Sequence, residues 1–196
     1  MVPLTNITGR LGNQLFQFAA LFAYAKQMEV DYYFQNLMFF HQAKEEIRTM
    51  FSTGIEEPID AVAVHIRRGG NPYQPNELKY SENPFYVNLC ATDYYEKATA
   101  LFPDDKFLIF TDDPIFVTNE WKLYDQKRMT LVEGGSDIQD MNKMAACKGH
   151  IIANSTFSWW GAWLSPNYPY NRVIAPNQWF ADGIDRTVMP DHWEQI

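Results

Sequence analysis

From Ile59 to Ala175 the chain keeps alternating short apolar runs with longer helix-like stretches, and this rhythm constrains its fold more than any other feature. Asp60 to Ile66 reads as a buried strand, in which Val62, Val64 and Ile66 alternate with Ala61, Ala63 and His65. Further strands are expected at Lys106 to Thr111, Met129 to Val132, His150 to Ala153 and Arg172 to Ala175. Helices are expected between them, over Asp93 to Phe102, Ile115 to Leu123 and Phe157 to Leu164. Another opens at a capping box made by Ser136 and Gln139 and runs to Cys147. Alternating units of this kind imply an α/β fold, a parallel sheet wrapped by helices. Ligands of such sheets sit at the carboxyl ends of the strands.

Ahead of this pattern, a short apolar piece ends near Ile7, and Gly9 to Gln14 leads into a helix expected over Asn13 to Met28. A second helix is expected over Gln35 to Met50, and a turn-rich stretch through Pro58 closes the region. At 196 residues the chain is too short for two domains of ordinary size. Residues 1–58 therefore read as a small N-terminal region and 59–196 as the main sheet domain. The irregular segment from Gly69 to Leu89 carries three prolines and several aromatics, which suits a functional loop.

Composition removes several classes of function. Aromatic residues make up 16%, far too many for a disordered chain. A net charge of −8, with no basic run, argues against wrapping nucleic acid, although a few converging arginines can still hold an anion. The two cysteines, Cys90 and Cys147, fit reduced, partly buried thiols. No charged-then-apolar leader is present, and the apolar run from Leu15 to Ala25 is far too short to span a bilayer, so a cytoplasmic protein without a transmembrane segment is expected. Two matches to the glycosylation pattern, at Asn6 and Asn154, have no consequence in that setting. His41, His150 and His192 lack metal-ligand spacing and read as ordinary.

Four segments each follow an expected strand: Gly9 to Gln14, His65 to Gly70, Thr111 to Pro114 and Asn154 to Trp160. His65-Ile66-Arg67-Arg68-Gly69 puts two guanidiniums at a strand end. Each offers a planar fork of donors suited to phosphate. Adjacent residues of an extended chain point in opposite directions, so one arginine can face a ligand while the other braces the loop. The alternative is a pair of surface arginines matched to local acids. Asn154-Ser155-Thr156-Phe157-Ser158 places small hydroxyl residues at a helix start, which serves as an anion cradle or as a plain N-cap. The three tryptophans that follow are expected mainly as core. Asp112 and Asp113 suit a metal, the amidine-like edge of guanine, or capping of a helix that opens at Pro114. No Asp-x-Asp pair occurs anywhere in the chain.

Taken in order, four motifs carry a resemblance: Gly9-Arg10-Leu11-Gly12-Asn13-Gln14-Leu15-Phe16-Gln17-Phe18-Ala19, His65-Ile66-Arg67-Arg68-Gly69, Ile109-Phe110-Thr111-Asp112-Asp113, and Ile151 through Leu164. Together they resemble the α-1,2-fucosyltransferases of glycosyltransferase family 11. The resemblance implies a GT-B-like architecture: a Rossmann-type parallel sheet as donor domain, with a reduced N-terminal, acceptor-side region. It implies inverting transfer of L-fucose from GDP-β-L-fucose to a hydroxyl of a glycan acceptor, the 2-hydroxyl of a galactoside, with no metal or other cofactor. Arg67 would hold the diphosphate and stabilise departing GDP, with Arg68 in support. His65 and Asp112 or Asp113 would meet guanine and ribose. Ser155, Thr156 and Ser158 would bind phosphate oxygens, and Gly12 and Asn13 would approach from the other side. The chain departs from the family pattern where Gly70 replaces an Asp, and in the short stretch between Gln17 and His65. A non-catalytic GDP-sugar-binding remnant, or a transferase with another acceptor, is the alternative. For the general base, Glu77, Glu82 and Asp93 are nominated by position only.

Overall fold

The computed structural model describes residues 9–27, 43–55, 57–69, 78–184 and 189–196. Within them, six strands form one parallel sheet: β1 (Ile59–Ile66), β2 (Phe107–Thr111), β3 (Met129–Leu131), β4 (Cys147–Ile151), β5 (Arg172–Ala175) and β6 (Glu194–Gln195). Their order across the sheet is β3-β2-β1-β4-β5-β6. That is the order of Rossmann-type doubly wound sheets, with the reversal of direction between β1 and β4. The expected parallel α/β sheet is present. The expected piece ending near Ile7, the first half of the second expected helix, His41, Gly70 and Glu77 lie outside the described residues.

The period of two in β1 sorts the two faces of the sheet. Val62, Val64 and Ile66 join Phe107, Ile109, Ile151 and Ile174 in a core beneath Tyr94, Tyr95 and Ala98 of α3 (Tyr94–Ala100) and Val117 of α4 (Pro114–Asn119). Ala63 faces the other way, with Phe110, Cys147 and Met144 of α5 (Asp137–Ala146). On that second face α1 (Leu11–Gln27), α2 (Lys44–Phe51) and α6 (Thr156–Trp163) share one core. Phe16 packs on Trp159 and Trp160 at 4.8 and 4.9 Å between ring centroids, and Ile47 is wholly buried. The Arg48 guanidinium donates to the carbonyls of Trp163 and Ser165, ties α2 to the last turn of α6, and lies 4.5 Å over the Tyr168 ring.

Helix α6 is buried from Ser158 to Trp163, as a helix apolar on every side must be. All three of its tryptophans are core, with Trp159 and Trp163 stacked at 5.6 Å. Gly161 is needed because a Cβ there would meet the Met144 sulfur at 2.5 Å. The capping box forms, with the Ser136 hydroxyl on the Gln139 amide and the Gln139 side chain on the Ser136 amide. Neither Cys90 nor Cys147 is in a disulfide, and burial pushes the Cys90 thiol up to about 11.

Several elements differ from expectation. Helix α4 ends at Asn119 rather than Leu123, because Trp121 leaves the helix to bury against Tyr95, 5.7 Å away. Strand β4 starts at Cys147, where α5 passes directly into extended backbone and Gly149 takes register with Val62. Strand β6 was not foreseen. It is two residues long and exists through pairing with β5.

Candidate functional site

At the carboxyl edge, between the ends of β1 and β4, lies a cleft of about 630 Å³. It is lined by Gly9, Arg10, Gly12 and Asn13 at the start of α1, by His65, Arg67 and Gly69 after β1, and by Thr111 and Asp112 after β2. Asn154, Ser155 and Thr156 at the start of α6 line it as well. This is the position that a doubly wound sheet offers to a ligand.

The alternation that sorts β1 continues past its end. His65 and Arg67 leave on the α6 side, and Arg68 leaves on the α4 side. The Arg68 guanidinium lies 3.5 Å over the Phe116 ring and 3.7 Å from Asp113, so it braces α4 and does not line the cleft. Arg67 faces inward. Its guanidinium pairs with Asp112, donates to the Gly69 carbonyl at 3.0 Å and lies 5.0 Å over the Tyr80 ring. Burial and the neighbouring Arg10 pull its pKa down to about 10, which leaves it cationic at neutral pH.

Asp112 ties this corner together. One carboxylate oxygen accepts from the backbone amides of Arg68 and Gly69, at 2.8 and 2.9 Å. The other meets Arg67 and, at 3.3 Å, Arg10. Two guanidiniums and one carboxylate leave this cluster with a net positive charge, partly shielded from water. A Cβ on Gly69 would lie 2.7 Å from the Asp112 carbonyl, so its bareness lets the β1 and β2 loops meet. Asp113 caps α4, accepting from the Phe116 amide at 3.1 Å, and does not line the cleft.

Across the cleft, α1 and α6 meet start to start. A Cβ on Gly12 would lie 2.6 Å from the Phe157 amide nitrogen, and the Thr156 hydroxyl donates to the Asn13 side chain at 2.8 Å. Ser155 sits at the N-cap in extended backbone, and its side chain makes no cap. Ser158 is not brought to the cleft. It lies two residues further around the helix, fully buried, with its hydroxyl bonded to the Ala153 and Ser155 carbonyls.

His65 is 6% exposed and lines the cleft beside Phe157, with ring centroids 5.4 Å apart. Burial, Arg67 and Arg10 hold its pKa near 3, so its ring is neutral, and its Nδ1 finds no hydrogen-bond partner among the described residues. His150 is an ordinary core histidine, bonded to the Met144 carbonyl and the Asn171 amide. Glu82 and Asp93 lie off the cleft, and Asp93 pairs with Lys97 at 2.8 Å.

The structure adds residues that sequence reasoning missed. Arg10 stands inside a motif already singled out, and its charge beside glycines was the available signal. Asp137 and Asp140 line the cleft at the β3 end, where burial and Asp137 raise the Asp140 pKa. At the β4–β5 end the wall is aromatic, with Tyr80, Tyr86, Trp179 and Phe180. Asn154, 3% exposed, ties that wall down by donating to the carbonyls of Val87 and Trp179 at 2.9 and 3.0 Å. No local pattern announces the two aspartates or the aromatic wall.

Comparison with known proteins finds a family and two curated relatives. The model of glycosyl transferase family 11 matches residues 30–185. An α-1,2-colitosyltransferase of Escherichia coli is 35% identical over 171 residues, covering 76% of this chain and 54% of that protein. The O-antigen biosynthesis glycosyltransferase WbnK of Escherichia coli is 32% identical over 144 residues, covering 70% of this chain and 45% of that protein. The chain thus spans about half the length of these curated relatives. No solved structure matches it.

Proposed function

Because the chain belongs to glycosyl transferase family 11, we propose that it moves L-fucose from GDP-β-L-fucose to a glycan acceptor, the 2-hydroxyl of a galactoside, with inversion at the anomeric carbon. In the same reading the sheet is the donor side of a GT-B arrangement and the N-terminal region is its reduced acceptor side. The observation that carries the proposal is the Arg10–Arg67–Asp112 cluster facing the start of α6 across the end of β1.

The chemistry follows from where charge develops. As the acceptor hydroxyl oxygen bonds to the anomeric carbon and releases its proton, the bond from that carbon to the β-phosphate oxygen breaks and the electron pair leaves with GDP. Donors already aimed at that oxygen stabilise the transition state without having to reorganise. Arg67 suits this role because Asp112 and Tyr80 hold it in place while burial keeps it poorly hydrated. The backbone at the start of α6 and the bare Gly12 suit the remaining phosphate oxygens. The nucleoside then extends toward the β3 end, where Asp137 and Asp140 carry carboxylates not engaged by the cluster and His65 offers Nδ1.

Two arginines answer the charge of a diphosphate as a metal would, so chelation with EDTA should leave activity unchanged. Loss of activity on chelation, restored by manganese, would overturn that part. The defining experiment incubates the protein with GDP-fucose and a galactoside and measures GDP release and labelled product. Absence of both GDP binding and GDP release would refute the proposal, and tight GDP binding without release would leave a non-catalytic remnant. A second reading, a colitosyl donor, is favoured by the name of the 35% identical relative. Faster turnover of GDP-colitose than of GDP-fucose would select it.

A further inference from the structure

Beyond Tyr80, which lies against Arg67, the aromatic wall at the β4–β5 end of the cleft takes no part in the donor reading above. It begins at Arg67, whose guanidinium lies over the Tyr80 ring. Tyr80 stacks on Tyr86 with centroids 4.1 Å apart and planes 20° apart. Phe180 follows at 5.8 Å from Tyr86, and Phe85 lies 5.1 Å from both. The run leaves the buried arginine and reaches the surface at Phe85, which is 45% exposed. Two distant segments build it. They join at the antiparallel bridge between Tyr86 and Phe180, with the Ala181 amide on the Phe85 carbonyl at 2.9 Å.

We propose that the sheet domain itself adds to the acceptor side of the reduced N-terminal region: the Tyr86–Phe180 pair is an acceptor subsite, a shelf on which the apolar face of a pyranose ring lies. The inference rests on the donor reading above. If Arg67 marks the leaving oxygen, the reacting carbon lies beside it, and the acceptor must reach that carbon from the side away from the phosphates. The wall on the phosphate side is polar and rich in backbone N–H groups. The wall on the far side is this shelf, which runs from Tyr80 through Tyr86 outward to the exposed Phe85. Aromatic faces carry negative potential and attract the C–H bonds that a pyranose presents on one face. A second, independent feature points to a ligand of this class. Trp179 is 7% exposed and lines the cleft beside the shelf, and its Nε1 donor finds no partner among the described residues. A buried N–H next to an apolar platform suits a sugar hydroxyl, as does the Asn83 amide in the same lining.

The test is saturation-transfer NMR of methyl β-D-galactopyranoside with the protein, free and loaded with GDP, alongside a GDP titration. Galactoside signal is expected for the native protein and for Tyr86→Phe. Affinity should weaken about tenfold in Tyr86→Ala and Phe180→Ala, with GDP affinity within twofold. Should either alanine variant unfold, Phe85→Ala removes a largely exposed ring and must also weaken the galactoside. No galactoside signal from the native protein, or equal signal from the alanine variants, overturns the proposal. Loss of GDP affinity in those variants overturns it as well, by handing the shelf to the donor. A native protein that binds galactoside but not GDP keeps the shelf and sinks the donor reading instead.

Discussion

Two helices begin at the same edge of the sheet, and their first turns are built on opposite plans. At the start of α4 the chain satisfies itself. Asp113 caps the Phe116 amide, Pro114 contributes no N–H, and the Thr111 hydroxyl accepts from the Asp113 amide at 3.1 Å. Asp112, one residue earlier, binds two backbone amides and two guanidiniums. At the start of α6 no side chain caps the helix. Ser155 stands at the N-cap without bonding into the turn, and the Thr156 hydroxyl turns away to Asn13. An uncapped helix start facing a cleft is a site for an anion. The two corners divide the labour: the finished one holds the arginines still, and the unfinished one is where the proposed function puts phosphate.

The largest expected effect separates the two arginines that straddle this divide. Arg67→Ala should lower GDP release from GDP-fucose by about a hundredfold or more, and Arg67→Lys should not rescue it, because an ammonium lacks the bidentate fork. Arg68→Ala should act chiefly through the fold, lowering the melting temperature. Turnover by Arg67→Ala equal to the native rate would remove the distinction.

Next in size is the anchor itself. Asp112→Asn leaves Arg10 and Arg67 side by side without their carboxylate, which should cost about 3 kcal/mol of stability and about tenfold or more in turnover. A variant with native melting temperature and native rate would mean that the finished corner positions nothing.

A smaller effect comes from finishing the unfinished corner. Ser155→Asp adds a carboxylate cap worth about 1 kcal/mol and should raise the melting temperature by about 2–4 °C. The same charge should repel a diphosphate, so GDP affinity should fall several-fold. A stabilised variant with undiminished GDP affinity would show that the anion does not sit at α6.

The smallest effect concerns the strands that carry both corners. The pKa values of His65 and His150 are depressed in the folded state, to about 3 and about 4, chiefly by burial. Above about pH 6.5 both states are neutral there and stability is unaffected. As pH falls below that value the unfolded chain takes up protons that the folded chain refuses, so stability drops, by about 1 kcal/mol per histidine at pH 5.5. His150→Gln should flatten part of that acid limb in a series of melting curves. An identical limb in the variant would assign the loss to other groups.

Much of the sheet was legible because its signals are local. A period of two places Val62, Val64 and Ile66 on one face of β1 and sends Arg67 and Arg68 to opposite sides. Ser136 and Gln139 name the start of α5 through side chains that reach three residues. The bounds of β5, Arg172–Ala175, follow from a short apolar run between turns. Less legible was anything set by residues far apart in the chain. The end of α4 depends on a cavity beneath Tyr95 that accepts Trp121. Strand β6 depends on the free edge of β5.

In the site the same line holds. Which chemistry is present was already written in the sequence: guanidiniums at a strand end, hydroxyls at a helix start, and glycines at the start of the first helix. Only the tertiary structure decided what each group is used for. Asp112 and Asp113 are neighbours of one type, yet one anchors two arginines and the other caps a helix. Ser155 and Ser158 share one motif, yet one faces the cleft and the other is buried. Tyr86 and Phe180 form one shelf from segments that no local pattern connects. The physical reason is that residue type and spacing set what a side chain can bond, while its partner is set by which distant segments the packed sheet brings within about 3 Å.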